Sequence, residues 1–271
     1  MVEFSNPTGY DRWMGRWSAR LAPALVDFAD LPTGGRFLDV GSGTGELAIA
    51  LLASVVDARV IGIEPAESYV AYSRARFRDS RVRFEQGDAQ DLPFADGQFD
   101  GSLSHLVLQE LTDAPKAVSE MRRVTRVGGR VAASQWDFEK GLPMLALFWE
   151  SVIEAIGTDD ARREASSCMD VSYPDDEALQ RLWSAAGLVD IRTEIKEIEM
   201  NFDSFHDYWE PFLSGVTQTS AFSSRLSMEK RSALERCLRE KLMGMAVGNG
   251  FTLIARAWVV KGSVPARSIR A

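Results

Sequence analysis

Short apolar runs alternate along the chain with stretches whose apolar residues recur at helical spacing, and this alternation sets the first expectation. Residues 10–30 carry Trp13, Trp17, Leu21, Leu25 and Phe28 at that spacing, before Pro32-Thr33-Gly34-Gly35 breaks the chain. Arg36–Val40 reads as a strand buried on both faces, and a glycine-rich turn at 41–45 leads into a strongly apolar helix at 46–54. The pattern then predicts a strand at 59–63, a helix at 66–78 and strands at 82–85 and 101–105. A short helical turn at 107–111, a helix from Asp113 to about Arg126 and a strand at 130–135 follow. Asp113 is a cap residue, Pro115 stands in the first turn, and Gly128-Gly129 lie past the end. Strands alternating with helices predict an α/β fold, a doubly wound and mostly parallel sheet with right-handed crossovers.

Beyond residue 137 the pattern changes. It predicts an aromatic-rich helix at 144–156, a helix starting at Pro174 and stopping at Gly187, and two last strands at 190–202 and 251–260. The 48 residues between those strands hold helices near 203–213 and 227–243. A connection that long predicts a lid or accessory helices rather than bare loop. We read residues 1–271 as one domain, with a cofactor-binding half at 30–136 and a substrate-facing region at 137–250 that includes a helical insertion at about 203–248.

The glycine turn is where chemistry enters. Asp39-Val40-Gly41-Ser42-Gly43-Thr44-Gly45 lies directly between a strand and a helix, where glycines let backbone amides approach a ligand at the positive end of a helix. The third glycine falls one residue too early for the dinucleotide pattern G-x-G-x-x-G. Asp39 would repel a pyrophosphate and attract an ammonium, which favours an amino-acid-bearing nucleoside over a dinucleotide. Glu64 ends the second strand 19 residues after Gly45, where a carboxylate can accept two hydrogen bonds from a ribose diol. Asp88 ends the third strand, positioned to meet an adenine amino group with the Ala89 amide beside it. In a doubly wound sheet these strand ends lie side by side, where open α/β sheets bind ligands.

Charge and cysteine usage narrow the field. The 271 residues carry 31 Lys+Arg against 39 Asp+Glu, a formal charge of −8, so nucleic acid is not an expected partner. Cys168 and Cys237 stand far apart without His or Cys at metal spacing, which predicts buried free thiols, no metal and a reducing, cytoplasmic compartment. The opening residues MVEFSNPTGYDRW lack the pattern of a secretory signal, and no apolar run approaches a spanning helix, so no membrane association is expected.

The stretches FLDVGSGTGELA, IGIEPAE, FEQGDAQDLPFADGQFD and VGGRVAAS resemble the successive motifs of class I S-adenosylmethionine-dependent methyltransferases, close to the UbiE-like small-molecule type. The resemblance covers roughly residues 10–136 well and the remainder loosely. It implies a Rossmann-like seven-stranded sheet with the last strand antiparallel, and S-adenosyl-L-methionine across the strand ends. On this chain it implies that Asp39 and the turn Gly41, Ser42, Gly43, Thr44 and Gly45 face the methionine part. Glu64 takes the ribose hydroxyls, Pro65 lies against the adenine, Asp88 and Ala89 hold its edge, and Ser104 and His105 lie along the methionine. The segment YDRWMGRWSARLAP resembles an N-terminal helix that covers the cofactor in a subgroup of these enzymes, which brings Tyr10 and Arg16 toward the methionine carboxylate. Gln109 stands where many relatives carry His or Asn, which removes one candidate base.

Methyl transfer needs an aligned acceptor and excluded water, and a base only where the acceptor must lose a proton. Of the two histidines, His105 is the better candidate base and His206 lies in the lid region. Trp136, Asp137, Tyr173, His206 and Tyr208 are candidates to line the acceptor pocket. The expected function is methyl transfer to a small molecule; the alternatives are a non-catalytic S-adenosylmethionine-binding protein and an NAD(P)-dependent oxidoreductase. Acceptor identity and oligomeric state are not legible in the sequence.

Overall fold

The computed structural model of the protein describes residues 6–169, 171–214, 217–244 and 250–266. The chain runs through α1 (Pro7–Tyr10), a π-helical turn (Asp11–Gly15), α2 (Arg16–Ala29), β1 (Gly35–Val40), α3 (Glu46–Ser54), β2 (Ala58–Glu64), α4 (Glu67–Arg76), β3 (Val82–Gln86) and β4 (Phe99–His105). A 3₁₀ turn (Leu108–Glu110), α5 (Ala114–Val124), β5 (Thr125–Trp136), α6 (Pro143–Ala155), α7 (Asp159–Met169), α8 (Asp176–Ala185) and β6 (Val189–Phe202) follow. The chain ends with α9 (Phe205–Trp209), a 3₁₀ turn (Glu210–Leu213), α10 (Gln218–Arg225), α11 (Met228–Met243) and β7 (Phe251–Ser263).

The strands form one seven-stranded sheet in the order β3-β2-β1-β4-β5-β7-β6. β1 runs parallel to β2 and β4, β2 to β3, and β4 to β5. The last strand, β7, runs antiparallel to β5, from Arg130↔Ser263 to Trp136↔Ala257. This is the doubly wound, Rossmann-like arrangement that the alternating pattern and the family resemblance imply.

The chain divides into two compact units. The sheet unit comprises Gly15–Trp136, Ser172–Lys196 and Ala257–Ala271. Alternate strand residues point to opposite faces, so the unit has two apolar layers. Leu38, Val40, Val131 and Ala133 join Met121 and Trp183 in one; Phe37, Leu103 and Ala132 join Leu25, Leu47 and Leu51 in the other. The helical unit comprises Met1–Met14, Asp137–Val171 and Glu197–Arg256. Its core is aromatic. Phe148 stacks on Phe212 with centroids 4.4 Å apart, Trp13 meets Phe212 edge-on at 4.6 Å, and α11 lays Leu234, Leu238 and Leu242 against α6.

Three local expectations shift. The helix expected from Pro174 begins at Asp176, because the Asp175 side chain accepts the Ala178 amide and so sets the cap. β5 begins at Thr125 rather than Arg130, since Gly128 and Gly129 stay within the strand. α7 has no counterpart in the apolar pattern: DDARREASSCM lacks apolar periodicity, and among its described side chains only Ala161 and Ala165 are buried. The expected insertion at 203–248 runs through 215–216 and 245–248, and the N-terminal reading includes residues 1–5; all of these lie outside the described residues. Among the described residues no helix is long and apolar enough to cross a membrane.

Candidate functional site

The register Val40↔Ile63, Glu64↔Gln86 and Asp39↔Leu103 brings the carboxyl ends of β1, β2, β3 and β4 side by side. The glycine turn, Glu64, Asp88 and His105 therefore share one pole of the sheet unit. Gly41, Gly43 and Gly45 all have positive φ, at 75°, 50° and 94°. A Cβ on Gly41 would lie 2.6 Å from Val107, and one on Gly45 would lie 2.6 Å from the Phe77 ring. These two are glycines because the turn is packed. Gly43 differs, for nothing lies within 4 Å of where its Cβ would be.

Four of the turn's five amides do not face outward as expected. Gly41 and Ser42 donate to the Ile63 carbonyl at 2.8 and 2.9 Å, and Gly45 donates to the Ser42 carbonyl at 2.8 Å. Gly43 donates to Glu64 Oε2 at 3.0 Å, and the Gly43 carbonyl accepts from Ser73 Oγ at 2.9 Å. The turn is braced on β2 and α4, because unpaired buried amides would cost more than an internal bond returns. What it offers a ligand is the open space at Gly43.

Asp39 is fully buried, and neither carboxylate oxygen has a hydrogen-bond partner at bonding distance. Burial pushes its carboxyl up to about 8, the Glu64 charge adds to this, and the Ala48 amide at the start of α3 pulls the other way. Ser42 Oγ is likewise buried and unpartnered. Glu64 accepts the amides of Gly43 and, at 3.1 Å, Ala66, so each oxygen keeps one further lone pair. Burial raises its carboxyl too, against these two amides. Asp88 is exposed and takes the Gln90 amide at 2.8 Å in a tight turn, with Ala89 buried beside it. Thr44 is buried, and Pro65 is exposed, its carbonyl taking Gln86 Nε2 at 2.9 Å.

His105 is corrected as a base. Its Nε2 lies 3.1 Å from the Ser18 carbonyl, which can only accept, so Nε2 carries the proton. Nδ1 then accepts from Ser134 Oγ at 2.6 Å. Both nitrogens are occupied, and burial lowers the imidazole to about 4 despite the Ser18 carbonyl. No lone pair is left to take a proton from an acceptor. Neither serine carries a sequence signal for this role, since Ser18 is 87 residues away. Ser104 Oγ donates to the Val40 carbonyl at 3.0 Å. Arg16 stacks over the Trp17 ring at 4.3 Å, and Tyr10 is half-buried at the end of α1 in the helical unit.

The candidate acceptor-lining residues separate. Trp136 is buried at the end of β5, and the Tyr173 carbonyl accepts from Gln135 Nε2 at 2.5 Å. Asp137 is corrected: its Oδ1 takes the Lys140 amide at 3.0 Å and its Oδ2 faces Arg256 at 3.6 Å, so its carboxylate secures a turn. Tyr208 is corrected as well, being fully buried with its hydroxyl donating to the Met144 carbonyl at 2.9 Å. His206 is exposed on α9. Cys168 and Cys237 are free and half-buried rather than fully buried. The helical unit has a concavity of about 660 Å³ between α7 and α10, bordered by Arg163, Phe222 and Lys230, and the sheet unit has one of about 340 Å³ outside α3 and α4, bordered by Leu52, Arg78 and Phe84. No group of three His, Cys, Asp or Glu suited to a metal lies among the described residues.

A family model described as a methyltransferase domain matches residues 38–133. The chain is 32% identical over 200 residues to a demethylmenaquinone methyltransferase of Roseiflexus sp. (strain RS-1), covering 68% of this chain and 77% of that protein. It is 29% identical over 199 residues to the ubiquinone/menaquinone biosynthesis C-methyltransferase UbiE of Paracoccus denitrificans (strain Pd 1222), covering 69% and 78%. Among solved structures, phosphoethanolamine N-methyltransferase 2 of Haemonchus contortus, held with phosphomonomethylethanolamine and S-adenosylhomocysteine, superposes with a TM-score of 0.59. That match covers 97% of this chain and 58% of the other at 18% identity, a likeness of fold.

Proposed function

The chain belongs to the class I S-adenosylmethionine-dependent methyltransferases, of the UbiE type, and from that premise we propose that it methylates a small aromatic ring bearing a hydroxyl group, such as a quinol. The chain is a small-molecule methyltransferase and its cofactor is S-adenosylmethionine. The acceptor class rests on the names of the relatives and on the aromatic composition of residues 137–250. When bound, S-adenosylmethionine supplies a methyl group already activated by its sulfonium.

The observation that carries the assignment of the site is the Asp39 carboxylate, buried without a partner at the pole where Gly43 leaves open space. A buried carboxylate in that state is a poor companion for phosphate and a good one for an ammonium. In this reading Asp39 holds the amino group of the methionine part, and Ser42 and Thr44 line its path. Glu64 uses its remaining lone pairs on the ribose hydroxyls. Asp88 and Ala89 take the adenine edge and Pro65 its face. Ser104 and His105, fixed by their bonds to Val40, Ser134 and Ser18, form a rigid wall along the methionine part, and Arg16 reaches its carboxylate.

The chain's own task is to align the acceptor and exclude water. His105 stays neutral and acts as wall rather than base. Residues 137–250 set the choice of acceptor, and the whole chain acts as one methyltransferase domain. Two free thiols suit a reducing, cytoplasmic setting.

Isothermal titration with S-adenosylmethionine, S-adenosylhomocysteine and NADPH tests the site. The first two should bind at micromolar concentration and the third should not. Silence toward the first two in folded protein sinks the assignment. Turnover of a short-tailed demethylmenaquinol, followed by S-adenosylhomocysteine release, tests the acceptor; tight cofactor binding without turnover of any hydroxylated ring would favour a non-catalytic binding protein.

A further inference from the structure

The segment that follows β4 is strained. Among the described residues four non-glycines have positive φ: Asp30, Asp57, Asp190 and Leu106, the last at 61°. Aspartate tolerates that region, whereas a leucine is held there against the clash of its Cβ with the backbone. The strain sits directly after His105, where Leu106 donates its amide to the Ser134 carbonyl at 3.0 Å. It sends the chain into the 3₁₀ turn Leu108–Glu110, which packs against β5 and sets Val107 over Gly41. A costly backbone conformation at a binding pole points to something that must be held in place.

Two carboxamides flank that segment, Gln109 within the 3₁₀ turn and Gln135 next in sequence to Ser134, whose carbonyl takes the Leu106 amide. Gln109 Nε2 donates to the Leu106 carbonyl at 2.9 Å. A carbonyl only accepts, so the orientation of the amide is settled and Oε1 points elsewhere. Gln135, fully buried on β5, likewise donates Nε2 to the Tyr173 carbonyl at 2.5 Å. Both Oε1 atoms are buried with no hydrogen-bond partner. Buried amide oxygens are ordinarily satisfied, because an empty one has given up its water for nothing.

We propose that Gln109 and Gln135 form the acceptor-recognising pair of the site, two fixed carboxamide oxygens that take hydrogens from the acceptor's hydroxyl groups. The proposal rests on the functional reading above and specifies it. Oxygens alone can only accept, so a hydroxylated ring is bound and its ether or carbonyl counterpart is turned away, since its own lone pairs would face theirs. Sites of this kind reject an analogue lacking the donor strongly, because their polar atoms are left unpaired.

The test uses the full chain saturated with S-adenosylhomocysteine, with 1-naphthol and 1-methoxynaphthalene as calorimetric probes. The naphthol should bind about tenfold more tightly than the ether. In Gln109→Met, of similar volume, and in Gln109→Asn, which withdraws the carboxamide by one methylene, the preference should shrink to within about twofold. S-adenosylhomocysteine affinity and the circular-dichroism melt should stay unchanged. Equal binding of the two probes, no binding of the naphthol, or a preference that survives in both variants overturns the proposal. Loss of S-adenosylhomocysteine binding by the unsubstituted chain overturns the cofactor reading instead, and the two failures are read from separate titrations.

Discussion

Replacing Asp39 by asparagine should make the free protein more stable and the cofactor complex weaker. The carboxyl rises from 3.8 to about 8 on folding, so its contribution to stability is full below the unfolded value and is lost as pH climbs toward the folded one. Between the unfolded value and pH 7 that loss accumulates at about 1.4 kcal/mol per pH unit, or at most about 4 kcal/mol. Asparagine has no proton to hold and removes the loss, but its amide hydrogens enter a pocket without an acceptor, at a cost of about 1–3 kcal/mol. The net gain at pH 7 is therefore about 1–3 kcal/mol, with roughly 2–4 °C in Tm for each kcal/mol. An ammonium, by contrast, loses its charged partner, and S-adenosylmethionine affinity should fall by about 1.5–3 kcal/mol, on the order of 10–150-fold. For the unsubstituted protein, cofactor binding near pH 7 should release close to one proton, visible as a dependence of the calorimetric heat on buffer ionisation enthalpy. Denaturant melts at pH 5 and pH 8 with matched cofactor titrations decide the matter. If Asp39→Asn leaves the pH slope of stability as it was, or leaves the cofactor Kd within about twofold, the reasoning about this carboxylate is refuted.

Gly43→Val should abolish measurable S-adenosylmethionine binding, because its side chain enters the open space at the turn, and should also cost about 1–3 kcal/mol of stability at a φ of 50°; unchanged affinity by calorimetry in the folded variant rejects that placement. Gly45→Ala should instead lose about 1–3 kcal/mol of stability, its Cβ meeting the Phe77 ring at 2.6 Å, as thermal melts would show. Glu64→Ala should weaken cofactor binding by about 1.5–3 kcal/mol, and a loss of only a few tenths means that Glu64 does not hold the ribose. His105, lowered from 6.5 to about 4, contributes stability that is present above the unfolded value and is lost as pH falls through the folded one. Nitrogen-15 spectra should show the Nε2–H tautomer persisting to about pH 5, and protonation near pH 6.5 contradicts the two-bond description.

The parts of the fold that the sequence makes legible are those decided locally. RFLDV, the glycine turn and ELAIALLAS each carry one period and one break, and the sheet follows from their alternation. The pole where Asp39, Glu64 and His105 meet is legible for the same reason, since a parallel sheet aligns its strand ends. Long-range partners are not legible. Ser18 and Ser134 decide the state of His105, and Arg256 faces Asp137 across more than a hundred residues of chain. Tyr208 looks like a pocket aromatic in isolation and proves to be a core residue once Met144 is known to accept its hydroxyl. Polar α7 is invisible to any reading based on apolar period, because among its described side chains only two small alanines are buried.

The position of β7 constrains how the molecule is made. It follows β6 in the chain yet lies between β5 and β6 in the sheet. During synthesis β6 emerges first and finds its neighbour missing, so β5 and β6 each wait with an open edge while α9 to α11 are translated. The sheet can close only when the strand from Phe251 to Ser263 has left the ribosome and threaded its antiparallel register against Arg130–Trp136. Such non-local pairing is slow, and unpaired edges invite pairing with other chains. Sheet closure is thus a late and concentration-sensitive step, and a nascent chain stalled before residue 251 would expose two sticky strands to chaperones and to its neighbours on the same message.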